Sequence, residues 1–191
     1  LYRDIRALFP SWVAATHWLT YRADINTLYD LRGRRVNLGP PGSATADYGE
    51  LTLKAAGLWD AVRKEYINWA DGVRLMGDGI LDAVTLSGPY PFPAAQEAAA
   101  SPGKRLRFVA IPEEVRRNAR NINPAVAFTQ IPPDVYGPGL PAGVYPSVGY
   151  FAYLVVHKRV PEWAVYEITK AVLGEEGKRF LLNSYSGFRT G

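Results

Sequence analysis

Short apolar runs along this chain are punctuated by proline- and glycine-rich turns and by stretches with helical spacing. Leu1–Phe9 places apolar residues at Leu1, Ile5, Leu8 and Phe9, and reads as a strand or one short helix broken by Pro10-Ser11. Val13–Arg22 reads as a strand. Asp24–Thr27 then turns the chain into a short helix, Leu28–Leu31, ended by Gly33. Arg34–Leu38 is a further strand. Small or apolar residues at Ala46, Gly49, Leu53 and Ala56 form one stripe of a helix over Ala44–Ala56, with Gly57 as its C-cap. Tyr66–Trp69 reads as a short strand, Asp71–Gly79 as a helix opened by Asp71, and Ile80–Leu86 as a buried strand. Ala94–Ala100 and Pro112–Arg120 read as helices; Leu106–Ile111, Val126–Ile131 and Val148–His157 read as strands. Glu162–Leu173 is predicted to be a helix burying Trp163, Val165, Ile168 and Val172 or Leu173, followed by a last short helix over Gly174–Leu182. This alternation predicts an α/β fold with a parallel, doubly wound sheet covered by helices on both faces.

Ligands of such sheets bind beyond the carboxyl ends of the strands, and two unusual turns fall at such ends. The first is Gly39-Pro40-Pro41-Gly42-Ser43-Ala44-Thr45, between a strand and a helix start. Its backbone N–H groups and the positive end of the helix dipole can receive a carboxylate or phosphate. An ordinary strand-to-helix loop with a serine cap explains the same residues. The second is Ser87-Gly88-Pro89-Tyr90-Pro91-Phe92-Pro93. Two such loops opening to one side form a wall of a cleft. Tyr90 and Tyr145, both in Pro/Gly turns, are the preferred aromatic pocket residues among Tyr90, Phe92, Tyr136, Tyr145, Tyr150 and Phe151.

Composition narrows the chemistry. The 191 residues are 48% hydrophobic and 21% charged, enough chain for one large domain or two small lobes. With no cysteine, disulfides, thiolate metal sites and a thiol nucleophile are excluded. A net charge of +4 is mild and spread along the chain, weak evidence for nucleic acid. His17 and His157 each lie between apolar residues and read as satisfied buried or rim histidines, not metal ligands. No lysine follows Gly42 as a P-loop requires, and Pro41 interrupts any G-x-G-x-x-G. Gly77–Asp82 lacks the alternating ligands of a calcium loop. Ser43 has no candidate base and stands outside G-x-S-x-G, because Thr45 occupies the glycine position. No catalytic residue, metal or cofactor is expected. No stretch approaches the length of a membrane span. The chain opens on Leu1-Tyr2-Arg3-Asp4-Ile5 as if within a domain, with no signal segment, so an N-terminal portion is expected to be lacking.

The order of several motifs resembles that of a known family. Asp30-Leu31-Arg32-Gly33-Arg34-Arg35-Val36 followed by Gly39–Thr45 is similar to the D-L-K-G-K-R-V … G-x-x-G-S-G-T signature of extracytoplasmic solute receptors. It resembles most the TAXI family, receptors of tripartite ATP-independent periplasmic (TRAP) transporters. Gly79–Ala83, Gly88–Pro91, Pro141–Pro146 and Val165–Ala171 agree in order and spacing. The resemblance implies a two-lobed type II periplasmic-binding fold, with mostly parallel doubly wound sheets and the N-terminal part of the first lobe absent. Residues 1–24 would be the partial first lobe and a hinge strand, 25–149 the second lobe, and 150–191 the return hinge strand and the C-terminal helices of the first lobe. Leu19–Asp24 and Tyr150–Val156 would cross the hinge.

The implied partners are a small anionic solute (a dicarboxylate, acidic amino acid or keto acid) and the membrane subunits of a TRAP transporter, in the periplasm or another extracytoplasmic location; no nucleic acid is implied. The ligand residues carried over are Gly42, Ser43, Ala44, Thr45, Gly88, Tyr90, Pro91 and Tyr145. Ala44 replaces a family glycine, and Gly88-Pro89-Tyr90 stands where Gly-Gly-Tyr is expected. Ser43 and Thr45 are expected to serve the ligand, so that removing both hydroxyls would weaken binding with little effect on ligand-free stability. The rival readings are an ABC-type substrate-binding protein, the effector-sensing part of a transcription regulator, or an enzyme of the same fold. Porphobilinogen deaminase is the example of the last, but its cofactor is attached through a cysteine, which this chain lacks.

Overall fold

A computed structural model describes residues 3–184. The chain opens on a long strand, β1 (Ile5–Thr20), and a 3-10 helix (Leu28–Leu31). Then follow β2 (Arg35–Asn37), α1 (Ala44–Ala55), β3 (Arg63–Glu65), α2 (Trp69–Gly77), β4 (Ala83–Gly88) and α3 (Pro93–Ala99). The remainder is β5 (Arg107–Phe108), α4 (Glu113–Ile122), β6 (Ala127–Ile131), β7 (Tyr145–His157), α5 (Glu162–Leu173) and α6 (Glu175–Ser184). One compact unit runs from Ala14 to Tyr150; the other joins the chain before it to the chain after it. The divisions fall inside β1, between residues 13 and 14, and inside β7, between residues 150 and 151.

The strands follow the order β3-β2-β4-β1-β7-β6, with β5 also on β1. The sheet is mixed. β2 runs parallel to β3 and β4, but β1 is antiparallel to β4 and β5, and β6 to β7. The expected parallel, doubly wound order holds around β2, where helices connect successive strands, and gives way to antiparallel pairing at β1–β4, β1–β5 and β6–β7. Pro10 does not break β1. Its pairing with β4 covers Ala15–Leu19 only, so an exposed proline five residues earlier removes no bond from that ladder.

Trp69 opens α2 instead of closing a strand, because the Asn68 side chain accepts from the Asp71 amide at 2.9 Å and caps the helix there. The α5 expectation fails in the opposite sense: Trp163 is 71% and Leu173 43% exposed. Two strand segments and two helices are too little chain to cover every face of a helix.

Within 14–150 the core gathers Trp18, Leu19, Leu28, Leu31, Val36, Leu38, Leu53, Leu58 and Leu86, all essentially inaccessible. Helix α1 lies directly on β4. At Gly49 a Cβ would stand 2.7 Å from Thr85 Cγ2 and 3.1 Å from Leu38 Cδ2, so only a glycine permits this approach without a shift. One turn further on, the buried Thr52 hydroxyl accepts from Trp18 Nε1 at 3.1 Å, locking α1 over β1. The start of α1 is thereby held near the ends of β2 and β4.

A similar close approach joins β7 to β1, where a Cβ on Gly149 would lie 1.8 Å from the Ala14 carbonyl oxygen. The obstacle is backbone and cannot rotate away. Gly149→Ala is expected to cost about 3 kcal/mol or more, read as a lowered midpoint in urea unfolding; an unchanged midpoint would refute the close approach.

Candidate functional site

The turn after β2 is built by its neighbours. Asn37, at the end of β2 and fully buried, accepts through Oδ1 from the Gly39 amide (3.1 Å) and the Ile67 amide (2.8 Å). Its Nδ2 donates to the Ile67 carbonyl at 3.1 Å. Gly39 has φ +80°, and a Cβ there would sit 2.7 Å from Thr45 Cγ2, so glycine is needed twice over. Gly42, at φ +71°, is exposed and faces open space.

Ser43 caps α1: its Oγ accepts from the Ala46 amide at 3.2 Å and donates to the Pro40 carbonyl at 2.7 Å. Thr45 is 1% exposed and joins three elements. Its Oγ1 accepts from Trp69 Nε1 of α2 and from the Ser87 amide of β4, each at 3.1 Å. Both hydroxyls that the sequence assigns to a ligand are therefore engaged by the protein, and neither is spare. What remains unpaired is backbone. Among the described residues, the amides of Gly42, Ala44 and Thr45 have no acceptor in the chain. Three such orphaned donors at the start of a twelve-residue helix attract negative charge.

The turn after β4 stands beside it. Ser87 donates through Oγ to Thr16 Oγ1 at 3.0 Å, deep under the turn. Gly88 is buried, and a Cβ on it would meet Phe92 Cε2 at 2.7 Å; its role is to admit the Phe92 ring. That ring stands edge-on to Trp69 at 5.8 Å, which carries the aromatic wall across to α2. Tyr90 is half-buried, its hydroxyl has no partner among the described residues, and burial raises its pKa. Pro91 follows it, also half-buried. A second aromatic pair, Tyr48 of α1 and Tyr150 of β7, has ring centres 5.1 Å apart. Burial, reinforced by Tyr150, pushes Tyr48 up to about 12.

Tyr145 lies elsewhere. It is 6% exposed, donates to the Val109 carbonyl at 2.7 Å and packs on Phe108 at 4.9 Å. Burial raises its pKa, and its hydroxyl is committed to the core, so the expected pocket role is withdrawn. Trp69 is the residue that sequence reasoning missed. Its signal was the Asn68-x-x-Asp71 cap, which starts a helix where a strand was expected.

His17 is fully buried, as expected of a histidine among apolar neighbours. Its Nδ1 lies 3.0 Å from the Ala15 carbonyl and 3.2 Å from the Leu86 carbonyl, so Nδ1 carries the proton. Nε2 then accepts from the Tyr136 hydroxyl at 2.7 Å. Burial lowers the His17 pKa to about 4. No group of three or more His, Cys, Asp or Glu residues that could hold a metal ion occurs among the described residues. No helix among them is long and apolar enough to cross a membrane.

The profile of the NMT1-like family matches residues 1–186. The chain belongs to that family. Its fold is that of two-lobed periplasmic binding proteins, as three solved structures show. A putative L-cystine ABC transporter protein from Listeria monocytogenes is 15% identical with a TM-score of 0.57, over 99% of this chain and 66% of that one. The GluR0 ligand-binding core from Nostoc punctiforme, in complex with L-glutamate, is 13% identical with a TM-score of 0.53, over 96% and 66%. An arginine transport periplasmic binding protein from Legionella pneumophila is 15% identical with a TM-score of 0.52, over 97% and 66%. At such identities the likeness concerns the fold alone, and this family member spans about two-thirds of the length of those structures.

The hydroxyl bonds reverse the expectation that Ser43 and Thr45 can be truncated without harm. Ser43→Ala is expected to cost about 1 kcal/mol as a lost cap. Thr45→Val leaves the Ser87 and Trp69 donors unpaired and should cost about 1–3 kcal/mol. Melting temperatures that match the parent would refute both roles.

His17 adds a pH dependence. Its folded pKa, about 4, is below the unfolded 6.5, so the unfolded chain binds the extra proton between those values. The contribution is complete above about pH 6.5 and is lost as pH falls towards 4, up to about 3 kcal/mol. Urea unfolding at pH 7.5 and 5 should show this loss in the parent, and His17→Phe should remove the His17 part of the slope.

Proposed function

We propose that this chain is the ligand-capturing part of an extracytoplasmic solute receptor, and that residues 14–150 present a carboxylate-binding turn to a small amino-acid-like solute. The observation that carries this reading is the set of acceptorless amides at Gly42, Ala44 and Thr45, held rigid by Asn37, Ser43 and Thr45. Fixed backbone donors at a helix start stabilise an oxyanion without a charged side chain. The exposed edge of Trp69 and the Tyr90 hydroxyl, which has no partner among the described residues, then face the rest of the solute, with Pro91 stiffening the loop. Ala44 places its methyl beside these donors, so the solute is held mainly through the amides on either side of it.

The fold neighbours support delivery to an ABC-type membrane partner, since two of the three named above are transport proteins for amino acids. The motif order Asp30–Val36 and Gly39–Thr45 supports a TAXI-type TRAP receptor as the second reading. In both, the protein works outside the cytoplasmic membrane and performs no catalysis; affinity is its output.

Thermal-shift titration tests the shared part. L-Glutamate, L-arginine, L-cystine and small dicarboxylates are added singly, and one of them is expected to raise the melting temperature in a concentration-dependent way. Tyr90→Phe should then weaken that solute about fivefold while leaving the ligand-free melting temperature in place. The absence of a shift with every amino acid and dicarboxylate would overturn the proposal.

A further inference from the structure

A chain of polar groups runs beneath the second turn, through residues with no place in solute contact. His17 donates from Nδ1 towards the Ala15 and Leu86 carbonyls, and its Nε2 accepts the Tyr136 hydroxyl at 2.7 Å. The same Tyr136 oxygen accepts from the Phe92 amide at 2.8 Å. Phe92 closes the turn that bears Tyr90 and precedes α3.

Three aromatic rings flank His17: Tyr136, Phe108 and Phe92 have ring centres 5.6, 6.1 and 6.3 Å away. An apolar residue would fill such a site without the desolvation cost of a buried imidazole. A phenol has one proton and two lone pairs. With the hydroxyl hydrogen donated to His17 Nε2, a lone pair of the Tyr136 oxygen receives the Phe92 amide, and each bond polarises the next.

We propose that His17 is a positioning residue: by accepting the hydrogen bond of the Tyr136 hydroxyl, it aims that oxygen at the Phe92 amide and so fixes the 88–93 turn that carries Tyr90. The link to solute affinity rests on the reading that Tyr90 faces the solute; the link to the turn does not.

Amide exchange measured by NMR on the intact chain tests it. Tyr136→Phe and His17→Phe should each speed exchange of the Phe92 amide about tenfold. The double variant should exchange no faster than the single ones, because both remove the same relay. The amides of Val109 (bonded to the Trp18 carbonyl) and Leu38 (bonded to the Glu65 carbonyl) serve as controls and should change little. Unchanged Phe92 protection in His17→Phe, or effects that multiply in the double variant, overturns the proposal. So does equal acceleration at the controls, which marks general destabilisation.

If His17→Phe does not fold, imidazole nitrogen shifts of the parent and of Tyr136→Phe decide. An Nδ1-protonated ring whose Nε2 signal moves on loss of the hydroxyl supports the relay; a proton on Nε2 overturns it. L-Glutamate affinity separates the two layers. A fall of about fivefold in Tyr136→Phe supports the link to Tyr90, and an unchanged affinity beside faster Phe92 exchange overturns that link. A parent that binds neither L-glutamate nor L-arginine counts against the solute reading, while the exchange data alone judge the relay.

Discussion

The Thr45 hydroxyl is the contact on which the arrangement of both turns depends. One oxygen receives the indole N–H of Trp69 and the backbone N–H of Ser87, so the start of α1, the start of α2 and the end of β4 meet at one point. The methyl of the same side chain occupies the space that a Cβ on Gly39 would need. Its position is thus constrained on its polar and apolar sides at once. In a buried setting each of these donors would be costly to leave unpaired, which gives the junction a single geometry. The orientation of Trp69 against Phe92 follows from that junction, and with it the aromatic wall.

How much of this could be read in advance depended on the range of the interaction. The Gly39–Thr45 turn and the extent of α1 were legible because their causes are local: glycine at positive φ, a serine cap, a glycine after the last turn. Pro10 misled because proline's effect depends on whether a neighbouring strand needs its missing N–H, which is a tertiary fact. Strand direction was illegible for the same reason. Alternating strands and helices favour a parallel sheet, but β1 crosses to pair with β4 and β5 in the antiparallel sense.

The candidate site shows the same division more finely. Residue type told that Ser43 and Thr45 could donate and accept, but not to whom. Ser43 spends its hydroxyl within three residues, whereas Thr45 spends its own on Ser87, 42 positions away. Burial of His17 could be expected from its apolar neighbours, yet its partner Tyr136 is 119 residues distant. Tyr145 was misplaced because a tyrosine in a Pro/Gly turn reads as accessible. Its hydroxyl instead finds the carbonyl of Val109, an attachment that only the folded chain reveals.

Because the side-chain hydroxyls at the first turn are absorbed in holding it, the donors left over are backbone amides, whose positions no rotamer change can alter. Such donors favour an oxyanion but distinguish poorly between one carboxylate and another. In the proposed receptor, discrimination on this side falls to groups that face the remainder of the solute, and those proposed for it, Trp69 and Tyr90, are aromatic. The wall can discriminate only while the 88–93 turn keeps its place. That is why a neutral imidazole buried under it, at a site where an apolar ring would pack more cheaply, has a physical justification.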